Sequence, residues 1–226
     1  MELDAEVRRL EELFTVANLD PGEERLIGEK DAAVLILLDK RDDGWHVFLT
    51  VRSQNLRRHP GEVCFPGGMW EEADGSVVKT ALRESFEEVG LPEEYVRIVS
   101  TLKPMRNRNG IIIYPVISVL ARPFQPQIGD EVDRCFWMKL SDFLSERNHA
   151  CMYAMGIEIH SFTVHGTNVY GITSYISILV AVLIFDRYPD YPMDLFENTS
   201  KPPREVLARV YSEGITGYSA LKKNKL

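Results

Sequence analysis

The chain has 226 residues, 45% of them hydrophobic and 27% charged, with 12 prolines and 15 glycines, a globular composition that excludes a disordered or fibrous protein and is compatible with one large domain or two small ones. Its 26 basic and 34 acidic side chains leave a formal charge of −8, which argues against a protein whose main task is to grip a nucleic-acid backbone. Three cysteines, Cys64, Cys135 and Cys151, without a CxxC spacing, support neither a disulfide framework nor a zinc knuckle and fit a reducing compartment.

The N-terminus carries acids and helical periodicity in place of a basic start and an apolar run, so it reads as a helix over residues 5–16, ended by a turn at 18–22, and not as a secretory signal. Residues 32–38 and 46–51 read as strands joined by an Asp42-Asp43-Gly44 hairpin turn. After a glycine-rich loop, a helix is expected over 77–89, with Asp74 or Ser76 as N-cap and Gly90, backed by Pro92, as its terminator. Strands follow at 96–102, 111–120, where Pro115 weakens the pattern, and 135–139, and Ser141 is expected to cap a short helix over 141–146. Residues 162–164 and 169–171 flank His165-Gly166-Thr167-Asn168 as a hairpin.

The most apolar stretch, 172–185, has 14 residues against the roughly 20 that a membrane span needs, and reads as a buried helix over 173–185. Residues 187–203 are irregular and lead to a last helix near 205–212. With no repeat and no second boundary, the chain reads as a single α+β domain, residues 1–226 with a core of about 30–190 and extensions at both ends. It ends in Asn224-Lys225-Leu226, which is either a relaxed form of the Ser-Lys-Leu peroxisomal address or a lysine-rich tail.

The chemistry is carried by Gly67-Gly68 and the helix that follows. At about 100° per residue, Glu84, Glu87 and Glu88 share one arc, while Val78, Ala81, Leu82, Ser85, Phe86 and Val89 fill the opposite side. Carboxylates at these spacings repel, and a divalent cation removes that cost. Oxygen-only ligands suit a hard cation such as Mg²⁺ or Mn²⁺, whose remaining positions take water and phosphate oxygens. Arg83 lies beside Glu87 on the wheel and can hold a carboxylate in one rotamer; its plainer reading is a surface ion pair. Upstream, Arg52, Arg57, Arg58 and His59 make a basic patch suited to a substrate with several phosphates, although Arg58 and His59 also read as solvated loop residues.

Arg83-Glu84-x-x-Glu87-Glu88-x-Gly90-Leu91 after a Gly-Gly loop resembles the Nudix box of metal-dependent hydrolases of nucleoside diphosphates linked to another moiety. Two departures stand out. Asp74 holds the place, six residues after Gly68, where the box has a glutamate, and eight residues instead of seven separate it from Arg83. Ser85 replaces an apolar residue. The stretch from Phe48 to Gly68, with Leu49, Thr50, Arg52, Ser53, Arg57, Gly61 and Phe65-Pro66-Gly67-Gly68, resembles the second signature of the coenzyme A diphosphatase branch, with Phe48 for its first leucine; with the tail, the peroxisomal members of that branch are the nearest in kind.

The resemblance implies a Nudix fold, an α/β/α sandwich on a mixed central sheet, and hydrolysis of coenzyme A or acyl-CoA. It implies metal ligation by Glu84, Glu87, Glu88 and the Gly68 carbonyl, substrate contacts from Arg52, Arg57, Gly67 and Gly68, and catalytic duties for Arg83 and for Glu84 or Glu131, the last in the loop Gly129-Asp130-Glu131. It also leaves room for a peroxisomal import receptor as partner. Other nucleoside diphosphates, such as ADP-ribose or NADH, and a hydrolytically inactive nucleotide-binding sensor are the competing readings.

Overall fold

The most apolar strand sets the architecture. In the computed structural model, which describes residues 2–17, 30–107, 109–154 and 156–212, strand β1 (Asp31–Arg41) is buried along almost its whole length. Ala33, Leu35 and Leu37 face one layer while Ile36 and Leu38 face the other. A strand covered on both sides reads as a continuous apolar run, which is why DAAVLILL carries no polar alternation.

Around β1 lies an eight-stranded mixed sheet. One edge of β1 is shared by β2 (Gly44–Arg52), paired antiparallel through Leu38 with Val47, and β4 (Gly67–Met69), paired through Ala33 with Gly68. Its other edge runs parallel to β7 (Ile112–Leu120). The two-residue β3 (Val63–Cys64) and β8 (Val132–Lys139) flank β2, and β5 (Val96–Thr101) and β6 (Met105–Arg106) flank β7. A second antiparallel sheet has the order β11 (Thr167–Tyr170), β10 (Ile157–Val164), β9 (His149–Ala154). Helix α2 (Val77–Val89) covers one face of the central sheet. Helices α1 (Glu2–Phe14), α3 (Gly171–Phe185) and α4 (Pro203–Ser212) cover the other. This is the α/β/α sandwich on a mixed sheet that the resemblance implies.

Pro115 sits inside β7 because of a break in its neighbours. Its carbonyl accepts the Leu102 N–H at 2.8 Å, so its missing N–H faces the gap between the end of β5 and the start of β6, where no ladder bond is lost. Helix α3 is buried nearly throughout, and its polar side chains are all engaged: Thr173 Oγ1 donates to Val63 O at 3.2 Å, Ser174 Oγ to His160 O at 2.7 Å and Ser177 Oγ to Thr173 O at 2.8 Å. Arg204 donates to the Leu183 and Ile184 carbonyls at 2.7 and 3.0 Å, satisfying acceptors that the helix end leaves free. Among the described residues no helix is long and apolar enough to cross a membrane.

Several expectations change. The short helix at 141–146 is a 3₁₀ turn over Leu140–Leu144, and Ser141 does not cap it; Lys139 stands at that position without a side-chain bond. The hairpin turn between β10 and β11 is only His165-Gly166, with Thr167 and Asn168 already paired. Strand β9 was not anticipated: its side chains are mostly exposed, so it lacks the alternation that betrays a strand. Phe86, assigned to the packing side of the helix, is 61% exposed, whereas Glu88 on the acidic arc is 4% exposed. The turn at 18–22 and the tail Asn224-Lys225-Leu226 lie outside the described residues.

Candidate active site

Helix α2 begins where Ser76 accepts the Lys79 N–H at 3.2 Å on its side-chain oxygen and ends at Gly90, whose positive φ of 69° turns the chain. Asp74, offered by the sequence as an alternative cap, has another task. Its carboxylate receives the Arg83 fork, Nε at 2.7 Å and Nη2 at 3.1 Å, together with Thr80 Oγ1 at 2.9 Å. Arg83 Nη1 then donates to Glu84 Oε1 at 2.9 Å and Glu87 Oε2 at 3.2 Å, and Nη2 to Met69 O at 3.0 Å. The planar guanidinium thus ties the loop to the helix and orients two of the glutamates. The hydrogen bond from Arg83 is also the main reason that the Asp74 carboxyl is held below its ordinary range.

Glu88 points into the molecule. Its Oε2 accepts the Gly67 N–H at 3.3 Å, and its Oε1 stands 3.8 Å from Arg52 Nη1. Arg52 Nη2 is in turn 3.6 Å from Glu131 Oε2. The β2–β8 register shifts beside Arg52: Val51 pairs with Arg134 and Arg52 with Val132, so the extra residue is Asp133 on β8.

The Glu131 loop is attached from both sides. Glu131 O accepts the Ser53 N–H at 2.9 Å, while the Gln127 and Gly129 N–H groups donate to Val89 O and Glu88 O at 2.8 and 2.9 Å. A Cβ on Gly129 would stand 2.7 Å from Glu87 O, so only glycine allows this approach. At Gly68 a Cβ would lie 2.5 Å from the Glu84 carboxyl atoms, so a side chain there would displace that carboxyl.

Burial, reinforced by the charges of Glu84 and Glu131, pushes the Glu88 carboxyl up to about 8 against the opposing pull of the Gly67 N–H and Arg52. Burial also raises Glu84, with Arg83 opposing, and lifts the Cys64 thiol to about 11, with the Glu88 charge adding to it. Carboxylates that burial and one another drive toward the neutral form, beside a glycine whose missing side chain leaves room for one of them, fit a hard divalent cation that would restore their charge.

Of the residues singled out from the sequence, Glu84, Glu88, Glu131, Arg52, Arg83, Gly67 and Gly68 are brought together. Glu87 lies on the same helix face, its side chain 56% exposed and held by Arg83. Arg57 is exposed in the loop after β2 and makes none of the ion pairs that engage Arg52. Sequence reasoning missed Asp74 as the anchor of Arg83 and Gly129 as the close approach beneath α2. The signal for the first was its place in the box, six residues after Gly68.

Residues 29–155 match the NUDIX domain model, and the chain belongs to the Nudix family of hydrolases, enzymes that depend on divalent metal. It is 40% identical over 196 residues, 82% of this chain and 82% of the other, to the peroxisomal coenzyme A diphosphatase ndx-8 of Caenorhabditis elegans. Over 173 residues, 72% of this chain and 73% of the other, it is 36% identical to the peroxisomal coenzyme A diphosphatase NUDT7 of Mus musculus. Among solved structures, that of a MutT/nudix family protein from Enterococcus faecalis aligns with a TM-score of 0.45 and 20% identity over 70% of this chain and 64% of that one.

Proposed function

We propose that this chain hydrolyses the diphosphate of coenzyme A and acyl-CoA, releasing adenosine 3',5'-bisphosphate and 4'-phosphopantetheine or its acylated form. The observation that carries the reading is Arg52. It belongs to the segment resembling the coenzyme A diphosphatase signature, and its guanidinium lies between Glu88 and Glu131 at 3.8 and 3.6 Å, so substrate-side and acid-side motifs meet at one point. The names of the two relatives support the same substrate.

Glu84, Glu87, Glu88 and the Gly68 carbonyl would hold Mg²⁺ or Mn²⁺, which when bound neutralises charge on the diphosphate and acidifies water. Arg83 holds Glu84 and Glu87 in fixed rotamers. Arg52 offers its fork to a phosphate, and the exposed Arg57 adds a second cation where the substrate enters. Glu84 is the first choice of general base, because it stands half-buried among the acids and burial raises its carboxyl above the ordinary range; Glu131, at the opposite side of Arg52, is the second.

The test is turnover of coenzyme A, ADP-ribose and NADH side by side at one Mg²⁺ concentration, with products identified by mass. Coenzyme A should be preferred, and a stronger preference for either of the others defeats the substrate assignment. No turnover of any of them would instead favour a nucleotide sensor. Both relatives are named peroxisomal, and we assign this chain to the same organelle through Asn224-Lys225-Leu226. A tagged chain lacking those residues should stay in the cytosol, and continued import would dismiss the tripeptide as the address.

A further inference from the structure

A second group of ligating side chains lies away from α2, on the β9–β10 hairpin. Cys151 and His160 are directly paired across the two strands, as are Tyr153 and Glu158. Residues two apart along a strand share a face, so all four project from the same side. Cys151 Sγ, a Glu158 carboxylate oxygen and a His160 ring nitrogen lie within 4.8 Å of one another. Sγ is 3.7 Å from Glu158 Oε1, and His160 Nε2 is 3.2 Å from Glu158 Oε2. Ligands on a tetrahedral ion with bonds of about 2.0–2.3 Å stand roughly 3.3–3.8 Å apart; the two pairs, made through different oxygens of Glu158, lie close to that spacing.

The histidine supplies the independent sign. His160 is 2% exposed, yet among the described residues its Nε2 has no hydrogen-bond partner, and its close polar neighbour is the ion-pairing Glu158 Oε2 at 3.2 Å. A buried polar atom left in that condition is costly. The other ring nitrogen is engaged: Nδ1 is 2.9 Å from His149 Nε2, and His149 is stacked on Tyr191 at 3.6 Å between ring centroids. In the tautomer that donates Nδ1–H to His149, Nε2 presents its lone pair beside Glu158 and Cys151, the arrangement by which an outer partner fixes a metal-binding imidazole. Glu158 is fixed too, by the Asp194 N–H at 2.9 Å on Oε2, while the Tyr153 hydroxyl, 3.5 Å from Oε1, donates to Asp194 Oδ1 at 2.8 Å.

We propose that Cys151, Glu158 and His160 form a binding site for a borderline-soft divalent cation of the zinc class, with a fourth position left to water. Sulfur and imidazole ligands favour such an ion over Mg²⁺ or Mn²⁺, which the all-oxygen group on α2 suits, so the two sites sort different metals. Ligation would clip Cys151 of edge strand β9 to the central strand β10 and, through Glu158, to the segment at Asp194.

The experiment uses the full chain, stripped with chelator under a thiol-free reductant, given excess Mg²⁺ for the acidic helix and then titrated with Co²⁺. One equivalent should produce thiolate-to-cobalt charge-transfer absorption, Zn²⁺ should abolish it by displacement, and Cys151→Ser should lack it. No such absorption, or one that persists in Cys151→Ser, overturns the site. Should that variant fail to fold, alkylation of Cys151 in the native chain reads the same point: Zn²⁺ should protect it, and an unchanged alkylation rate overturns the proposal. Neither readout depends on hydrolysis of coenzyme A, so failure here is separate from failure of the proposed activity.

Discussion

Glu88 carries the sharpest conflict between charge and surroundings. An unfolded chain would ionise it near 4.5, whereas burial moves the folded value to about 8. Between those values the folded state binds more protons than the unfolded one, so this group's contribution to stability is full below the lower value and is lost as pH rises through the higher one. In chelator, the urea-unfolding free energy of the native chain should therefore fall with pH relative to Glu88→Gln. Parallel profiles would remove Glu88 from that role. With Mg²⁺ present, Glu88→Gln should lower turnover at least about 100-fold, and undiminished turnover would count against the metal assignment.

The glutamates were legible from their spacing, because i, i+3 and i+4 place them on one arc whatever the tertiary structure. Their different burial was not. Glu88 is covered by Arg52 and by the β4 turn at Gly67, and Phe86 is left uncovered, because the sheet meets α2 slightly off the face that hydropathy alone assigns. Asp74 was visible as a candidate cap and as the acid six residues after Gly68, but its pairing with Arg83 crosses nine residues and depends on the loop geometry.

Helix α2 was readable to its ends because each end is chemically marked, Ser76 by an accepting hydroxyl and Gly90 by a left-handed conformation. Replacing Ser76 by alanine removes the bond to the Lys79 N–H and should cost about 0.5–2 kcal/mol in chemical denaturation. An unchanged midpoint and slope would show that the cap contributes nothing here. Strand β9 had no such marks. His149-Ala150-Cys151-Met152-Tyr153-Ala154 is paired on one side only, with most of its side chains exposed, and neither constraint writes a two-residue hydrophobic period into the sequence. Ser141 failed as a cap for a related reason: the following turn is a single tightened 3₁₀ segment, whose start needs no side-chain acceptor.

The two apolar layers meet at β1, which sends Ala33, Leu35 and Leu37 to one and Ile36 and Leu38 to the other. We therefore propose that the chain unfolds as a single domain: far-ultraviolet circular dichroism and tryptophan fluorescence should give one coincident urea transition. Two separated transitions would divide the α2 layer from the α3 layer and refute the single-domain reading. Strand β1 itself was legible in the apolar run of DAAVLILL, but its double coverage was not, and the sandwich was expected only through the Nudix resemblance.

The bonds from Gln127 and Gly129 to the carbonyls of Val89 and Glu88 have a mechanical corollary. They fasten the Glu131 loop to the last turn of α2, so that loop cannot swing outward as an independent flap. Withdrawing Glu131 by such a swing would strip two donors from the helix terminus and loosen the turn that carries Glu88. Access to the acids and fraying of the helix are thereby one motion, and a rigid loop is the condition for keeping the carboxylates in register.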